Sequence, residues 1–236
     1  MRGFVFDLDN TLFDRYATIR KIMETNWSKL KPYINIAYDL ERAYSHFIHT
    51  EALFIIEGKW EVVYDHLLTE HFFNAANTPD CAMFRAFIVD NFFKTVVPFD
   101  YAKQLLSDMH AAGYKLGIIT NGHPELQYSK IRILGFDNIF DEIIVSGEFA
   151  QTMCGDYKNF DYWKPGRAIF DEMSARLNIP AHELYYVGDN PKNDVSGAEN
   201  AGYVPVWIMS NGPWPYENEK VPRHRFYSIE GLRSLI

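Results

Sequence analysis

The stretch Gly3-Phe4-Val5-Phe6-Asp7-Leu8-Asp9-Asn10-Thr11-Leu12 decides the fold. Gly3 to Phe6 run without polar alternation straight into an aspartate. A short unbroken apolar run of this kind reads as a strand covered on both faces, as in the middle of a parallel sheet. Asp7 then stands at the carboxyl end of that strand, with Asp9 and Thr11 just beyond it. In open α/β sheets the chemistry lies outside the carboxyl ends of the strands. The opening stretch therefore predicts both a sheet and the edge of that sheet where a site belongs.

Outward from it the pattern changes at Asp14. Thr18–Leu30, Ala37–Thr50, Trp60–Phe73 and Cys81–Phe93 carry apolar residues at helical spacing, with turns at Pro32, Gly58 and Asn77-Thr78-Pro79-Asp80. From Pro98 onward helices and strands alternate. A helix is expected over Tyr101–Ala112, a strand over Lys115–Thr120, and a helix over Pro124–Leu134. The strand Glu142–Val145, the helix Gly166–Leu177 and the strand Leu184–Gly188 follow, then the helix Asp194–Ala201 and the strand Val204–Ile208. This alternation predicts an α/β fold with a doubly wound parallel sheet. The expected core is residues 1–14 plus 97–236, with an inserted α-helical domain over 15–96. The Pro-containing tail after Ser210 reads as loop, ending in a short helix from Ile229.

Composition limits the function. Of 236 residues, 47% are apolar, which suits a globular chain with a solid core. The formal charge of −8 argues against partners such as nucleic-acid backbones or anionic membranes, which need basic surfaces. Cys81 and Cys154 form neither a disulfide framework nor a thiolate zinc spacing. The opening residues lack the pattern of a signal peptide, and no apolar run spans a bilayer. The expectation is a soluble cytoplasmic protein, monomer or homodimer.

The other strand ends repeat the pattern of the first. One ends in Thr120-Asn121-Gly122-His123, and another in Gly188-Asp189-Asn190-Pro191-Lys192-Asn193-Asp194. Lys164-Pro165 lies between the third strand and its helix. Each piece alone has a bland reading as strand end, turn or helix cap. Their joint occurrence at successive strand ends does not. Asp7, Asp9, Asp189 and Asp194 cannot all stay ionised at one edge without a cation. A hard divalent ion with oxygen ligands answers this, and magnesium beside a phosphate fits best.

These residues resemble the four motifs of the haloacid dehalogenase superfamily: Asp7, Asp9 and Thr11; Thr120 and Asn121; Lys164; Asp189 and Asp194. The resemblance covers residues 1–14 and 97–210, and places the helical insertion where the family carries a type I cap. It implies a Rossmann-like core and a magnesium-dependent phosphohydrolase acting on a small phosphorylated metabolite through an aspartyl-phosphate. Asp7 would be nucleophile and Asp9 the acid and base. Lys164 would neutralise charge, and Thr120 and Asn121 would hold phosphoryl oxygens. Gly122 and His123 follow them in the chain and are expected, by position, to face the substrate. Asp7, Asp9 (through its carbonyl), Asp189 and Asp194 would serve the metal. The opening motif is similar to that of N-acylneuraminate-9-phosphatases and pyrimidine 5′-nucleotidase-like members, so a nucleoside 5′-monophosphate or a sugar phosphate is the expected class. Asp9 favours phosphorus over carbon, since a departing halide needs no proton. A phosphomutase, a 2-haloacid dehalogenase-like hydrolase and a non-catalytic phosphate-binding member remain the alternatives.

Two regions carry weaker signals. Gly147–Trp163 reads as a long loop with aromatic residues and a rival lysine, Lys158. His46, His49, His66 and His71 in the helical insertion read as packing or surface residues rather than metal ligands.

Overall fold

The computed structural model describes residues 2–54, 60–209, 214 and 221–236. The chain divides into two compact units, Met1–Asp14 with Pro98–Ile236, and Arg15–Val97. In the first unit the chain begins with β1 (Gly3–Phe6). The second unit contains α1 (Arg15–Leu30), α2 (Leu40–Phe54), α3 (Trp60–Thr69) and α4 (Cys81–Phe92). Much of the chain's aromatic content fills its centre. Phe73 lies edge-on to both Phe72 and Phe84 with ring centroids 5.1 Å apart, a geometry that aligns ring edges with ring faces. The α3 helix stops at Thr69, short of the expected Phe73. Phe72 and Phe73 turn inward there, and Phe73 bridges Ile34. Asp80 caps α4 by accepting from the Met83 amide at 2.8 Å.

The first unit continues with α5 (Ala102–Ala111), β2 (Lys115–Thr120), α6 (Pro124–Ile133), β3 (Glu142–Val145) and α7 (Ser146–Cys154). Then come α8 (Arg167–Leu177), β4 (Leu184–Gly188), α9 (Gly197–Ala201), β5 (Val204–Ile208) and β6 (His224–Phe226). The strands form one parallel sheet in the order β3-β2-β1-β4-β5-β6. Phe4, Val5 and Phe6 are fully buried, as a central strand covered on both faces requires. Phe4 stacks on Tyr185 at 4.9 Å, while Val5 packs into the cluster of Ile169, Phe170 and Met173. Strand order reverses at β1, since β2 and β3 lie to one side and β4 to the other. That reversal opens a crevice at the carboxyl ends of β1 and β4.

Four segments of this unit differ from the sequence expectation. The expected loop 147–163 contains most of α7 and a 3-10 turn, Phe160–Tyr162. Phe149 and Ala150 anchor α7, and Gly155 ends it at φ 76°. Its buried positions Ser146, Gly147, Phe149 and Ala150 keep helical spacing, but serine and glycine at two of them leave no apolar period to read. In the tail, β6 pairs with β5 through Val206↔His224 and Ile208↔Phe226, so its conformation comes from its neighbour. The helix expected at Asp194 opens as a π-helical turn, Pro191–Ser196, before α9. The expected final helix is a 3-10 helix, Ile229–Ser234. No helix among the described residues is long and apolar enough to cross a membrane.

Candidate active site

The Asp7 amide donates to the Val187 carbonyl at 2.9 Å, extending the seam between β1 and β4 by one residue. Its carboxylate therefore emerges at the crevice. Asn10 follows in the left-handed region at φ 58° and turns the chain back. Across the crevice, β4 ends at Gly188 against the side chain of Asp194. A Cβ on Gly188 would lie 2.4 Å from Asp194 Cγ, so only glycine admits that carboxylate.

Lys164 joins the pieces. Its Nζ lies 2.6 Å from Asp7 Oδ1, 2.7 Å from Asp194 Oδ1 and 2.9 Å from the Tyr186 hydroxyl. Its backbone is clasped by the Asn121 side chain, which accepts from Lys164 N and donates to Lys164 O, each at 2.9 Å. Asp194 Oδ2 accepts from the Asn190 amide at 2.9 Å. Lys158 is exposed and lies over the Tyr157 ring, so Lys164 is the lysine that reaches Asp7.

Carboxylate oxygens of Asp7, Asp189 and Asp194 come within 4.8 Å of one another. Burial, then the neighbouring carboxylates of Asp194 and Asp9, push Asp7 up to about 7 even against the pull of Lys164. Burial and the charges of Asp7 and Asp194 push Asp189 well above the usual carboxylate range. Burial disfavours the charged form of Lys164, but Asp194 and Asp7 outweigh it and hold the ammonium well above its ordinary value. One ammonium bonds two of the three buried acids, and burial together with the neighbouring negative charge holds Asp7 and Asp189 high.

The Asp9 carboxylate belongs to a different circuit. Lys130 Nζ lies 2.8 and 3.0 Å from its two oxygens, and Gln127 Nε2 donates to Oδ2 at 3.1 Å. Gln127 Nε2 also lies 2.5 Å from Thr120 Oγ1 and 3.2 Å from the Asn121 carbonyl. Both α6 side chains are buried. Sequence reading passed over them, because helical lysines and glutamines ordinarily face solvent. Their three-residue spacing on the helix that follows Thr120-Asn121-Gly122 was the available signal.

The remaining expected residues are also placed. Thr120 is buried at the end of β2. Gly122 donates its amide to Ser146 Oγ at 3.0 Å. His123 is exposed at the start of α6, edge-on to Tyr157 at 5.9 Å. In the helical unit His46 packs against Phe72 and bonds the Tyr38 hydroxyl at 3.0 Å. Among the described residues, no cluster of three metal-ligating groups includes a histidine. Both cysteines are free.

A six-stranded parallel sheet with buried acids and a lysine at its switch point, and a helical unit inserted after the first strand, defines an α/β class with one preformed polar site. The chain belongs to the haloacid dehalogenase-like hydrolase family, whose pattern matches residues 1–202. Glyceraldehyde 3-phosphate phosphatase of Pyrococcus abyssi is 35% identical over 107 residues, 45% of this chain and 40% of that protein. Human N-acylneuraminate-9-phosphatase is 29% identical over 123 residues, 52% of this chain and 45% of that one. The chain spans about half the length of the curated relatives it matches. A magnesium-bound HAD hydrolase of Bacillus subtilis shares the fold, with TM-score 0.72 and 22% identity over 99% of this chain and 97% of that one. An L-2-haloacid dehalogenase from Xanthobacter autotrophicus also shares it, with TM-score 0.67 and 17% identity over 100% and 98% of the two chains.

Proposed function

We propose that the chain is a magnesium-dependent phosphohydrolase of small phosphomonoesters, working through an aspartyl-phosphate on Asp7. The charge balance at the switch point carries this reading. Four aspartates, Asp7, Asp9, Asp189 and Asp194, stand with two lysines, Lys130 and Lys164, an excess of two negative charges when all are ionised. One divalent cation offsets that excess, and an all-oxygen donor set suits magnesium. Asp7 and Asp189 are the side chains to hold it. Asp194, whose oxygens already accept from Lys164 and the Asn190 amide, supports the site by fixing both. Bound there, magnesium would neutralise and orient a phosphoryl group.

The chain's own groups then divide the work. Asp7 attacks phosphorus in line as the bond to the leaving oxygen breaks, forming an acyl phosphate. Asp9 gives its proton to the leaving oxygen. In the second half Asp9 takes a proton from water, which displaces Asp7 and releases inorganic phosphate. Lys164 offsets charge on Asp7 and on the group in transfer, and the Thr120 hydroxyl can donate to a phosphoryl oxygen.

The fold is shared by phosphatases and dehalogenases alike, so it does not select the reaction. Asp9 does, because an alkoxide needs a proton on departure and a halide does not. Relatives named as phosphatases support the choice. Their names cover a triose phosphate, phosphoserine and an acylneuraminate phosphate, so the class proposed is a small soluble phosphate monoester, with sugar phosphates and nucleoside 5′-monophosphates first in line. A panel of phosphorylated metabolites, assayed with magnesium and again with EDTA, tests this. Phosphate release that needs magnesium, together with a hydroxylamine-sensitive phosphoenzyme on rapid quench, is expected. Equal turnover in EDTA, or no release from any ester, overturns it.

A further inference from the structure

The geometry points to Lys130 and Gln127 as positioning residues that lock the Asp9 carboxylate in place and tie it to Thr120. This inference rests on the function proposed above. Three donor contacts from two buried side chains meet the two oxygens of Asp9. Asp9 lies beyond the end of β1, outside the ladder that fixes the strand itself. With Lys130 on both oxygens and Gln127 on one, the plane of the carboxylate is set. Holding a proton-transfer group in one orientation is worth rate, because the search for the reactive geometry is made before substrate arrives.

A lysine buried to 4% exposure needs an anionic partner wherever it sits, so an ion pair alone would be only structural. Two further observations indicate more. Gln127 Nε2 reaches Asp9, Thr120 and the Asn121 carbonyl together, so one amide links the ends of β1 and β2. The two lysines also divide the acids: Lys164 serves Asp7 and Asp194, and Lys130 serves Asp9. Asp9 thus has an ammonium of its own, although its charge still reaches Asp7 and Asp189. The centroid of the Phe13 ring lies 5.6 Å from the Lys130 ammonium. When Asp9 gives up its proton to the leaving oxygen, the carboxylate left behind already has its donors in place.

The test uses the full chain with magnesium and two substrates, p-nitrophenyl phosphate and the best alkyl phosphate from the metabolite panel. The first leaves without help from an acid; the second does not. Lys130→Met is expected to lower kcat on the alkyl ester by ~10²-fold with little change in KM. The p-nitrophenol burst should persist while phosphoenzyme accumulates, since hydrolysis still needs Asp9. Gln127→Leu should show the same pattern at about 10-fold, and carries the test if Lys130→Met does not fold. The Asp9→Asn/Lys130→Met pair removes both charges together, and should be no slower than Asp9→Asn alone. Equal slowing of both substrates including the burst, or losses that multiply in the double variant, overturns the inference while leaving the phosphatase reading intact. A wild-type chain that forms no phosphoenzyme sinks that reading itself.

Discussion

Both units of the molecule bury a cation against carboxylates, and they balance the charge differently. In the helical unit Arg15 pairs with Glu51 through two N–H···O contacts of 2.5 Å, with Glu51 1% exposed. In the α/β unit Lys164 is shared by Asp7 and Asp194, with Asp189 in the same cluster. The first sets one charge against one. The second sets one ammonium among three carboxyl groups, and burial, then the neighbouring carboxylates, holds Asp7 and Asp189 high. A balanced buried pair needs only a structural explanation. An unbalanced one indicates a charge supplied from outside.

The largest effect that could break this contrast is on activity. Asp7→Asn should reduce turnover by ~10⁴-fold or more and abolish the phosphoenzyme, while the urea midpoint stays level or rises because a buried acid with excess negative surroundings is gone. A large loss of stability would place Asp7 with Glu51 as a structural residue. Next comes the balanced pair. Glu51→Gln removes the buried carboxylate on which Arg15 is seated and should cost about 3–5 kcal/mol in urea denaturation. Arg15→Met/Glu51→Leu, which removes both charges, should recover most of that. If the double variant is as unstable as the single one, the pair does more than balance itself.

The smallest effect is on melting temperature and sharpens the contrast through pH. The ordinary carboxyl value is 3.8 and Asp7 in the fold is near 7, so between them the native state keeps a proton that the unfolded chain has released. Stability of the metal-free protein should therefore fall as pH rises through that window. Magnesium, which offsets the ionised acids, should raise Tm more at about pH 8 than at about pH 5. Equal shifts at both pH values would remove the link between the raised Asp7 and a cation.

How much of this was legible follows from where each signal resides. The run Gly3–Phe6 disclosed a central strand because parallel strands covered on both faces leave unbroken apolar sequence. Asp7, Thr120 and Asp189 were visible as candidates because polar residues that close such runs fall at one edge. Gln127 and Lys130 were not, because a buried polar pair on a helix looks like a solvent face until its partners are known. The strand β6 was hidden for another reason, since its three residues are ordered by pairing with β5. The short helix α7 was hidden because two of its four buried positions are serine and glycine, which give no apolar signal.

The Asn121 clasp on Lys164 has a consequence for how such a chain can diversify. Two hydrogen bonds of 2.9 Å fasten the end of β2 directly to the lysine's own backbone. The exposed turn bearing Tyr157, Lys158 and Phe160 lies outside that fastening. Its length and chemistry can therefore be rewritten like a replaceable fitting, with the ammonium registered from the other side. Grafting a different turn over 156–160 should alter which ester is preferred, read as a change in the ratio of kcat/KM between substrates, with Lys164 still seated on Asp7. A graft that lowers all substrates equally would show that the turn itself holds the lysine.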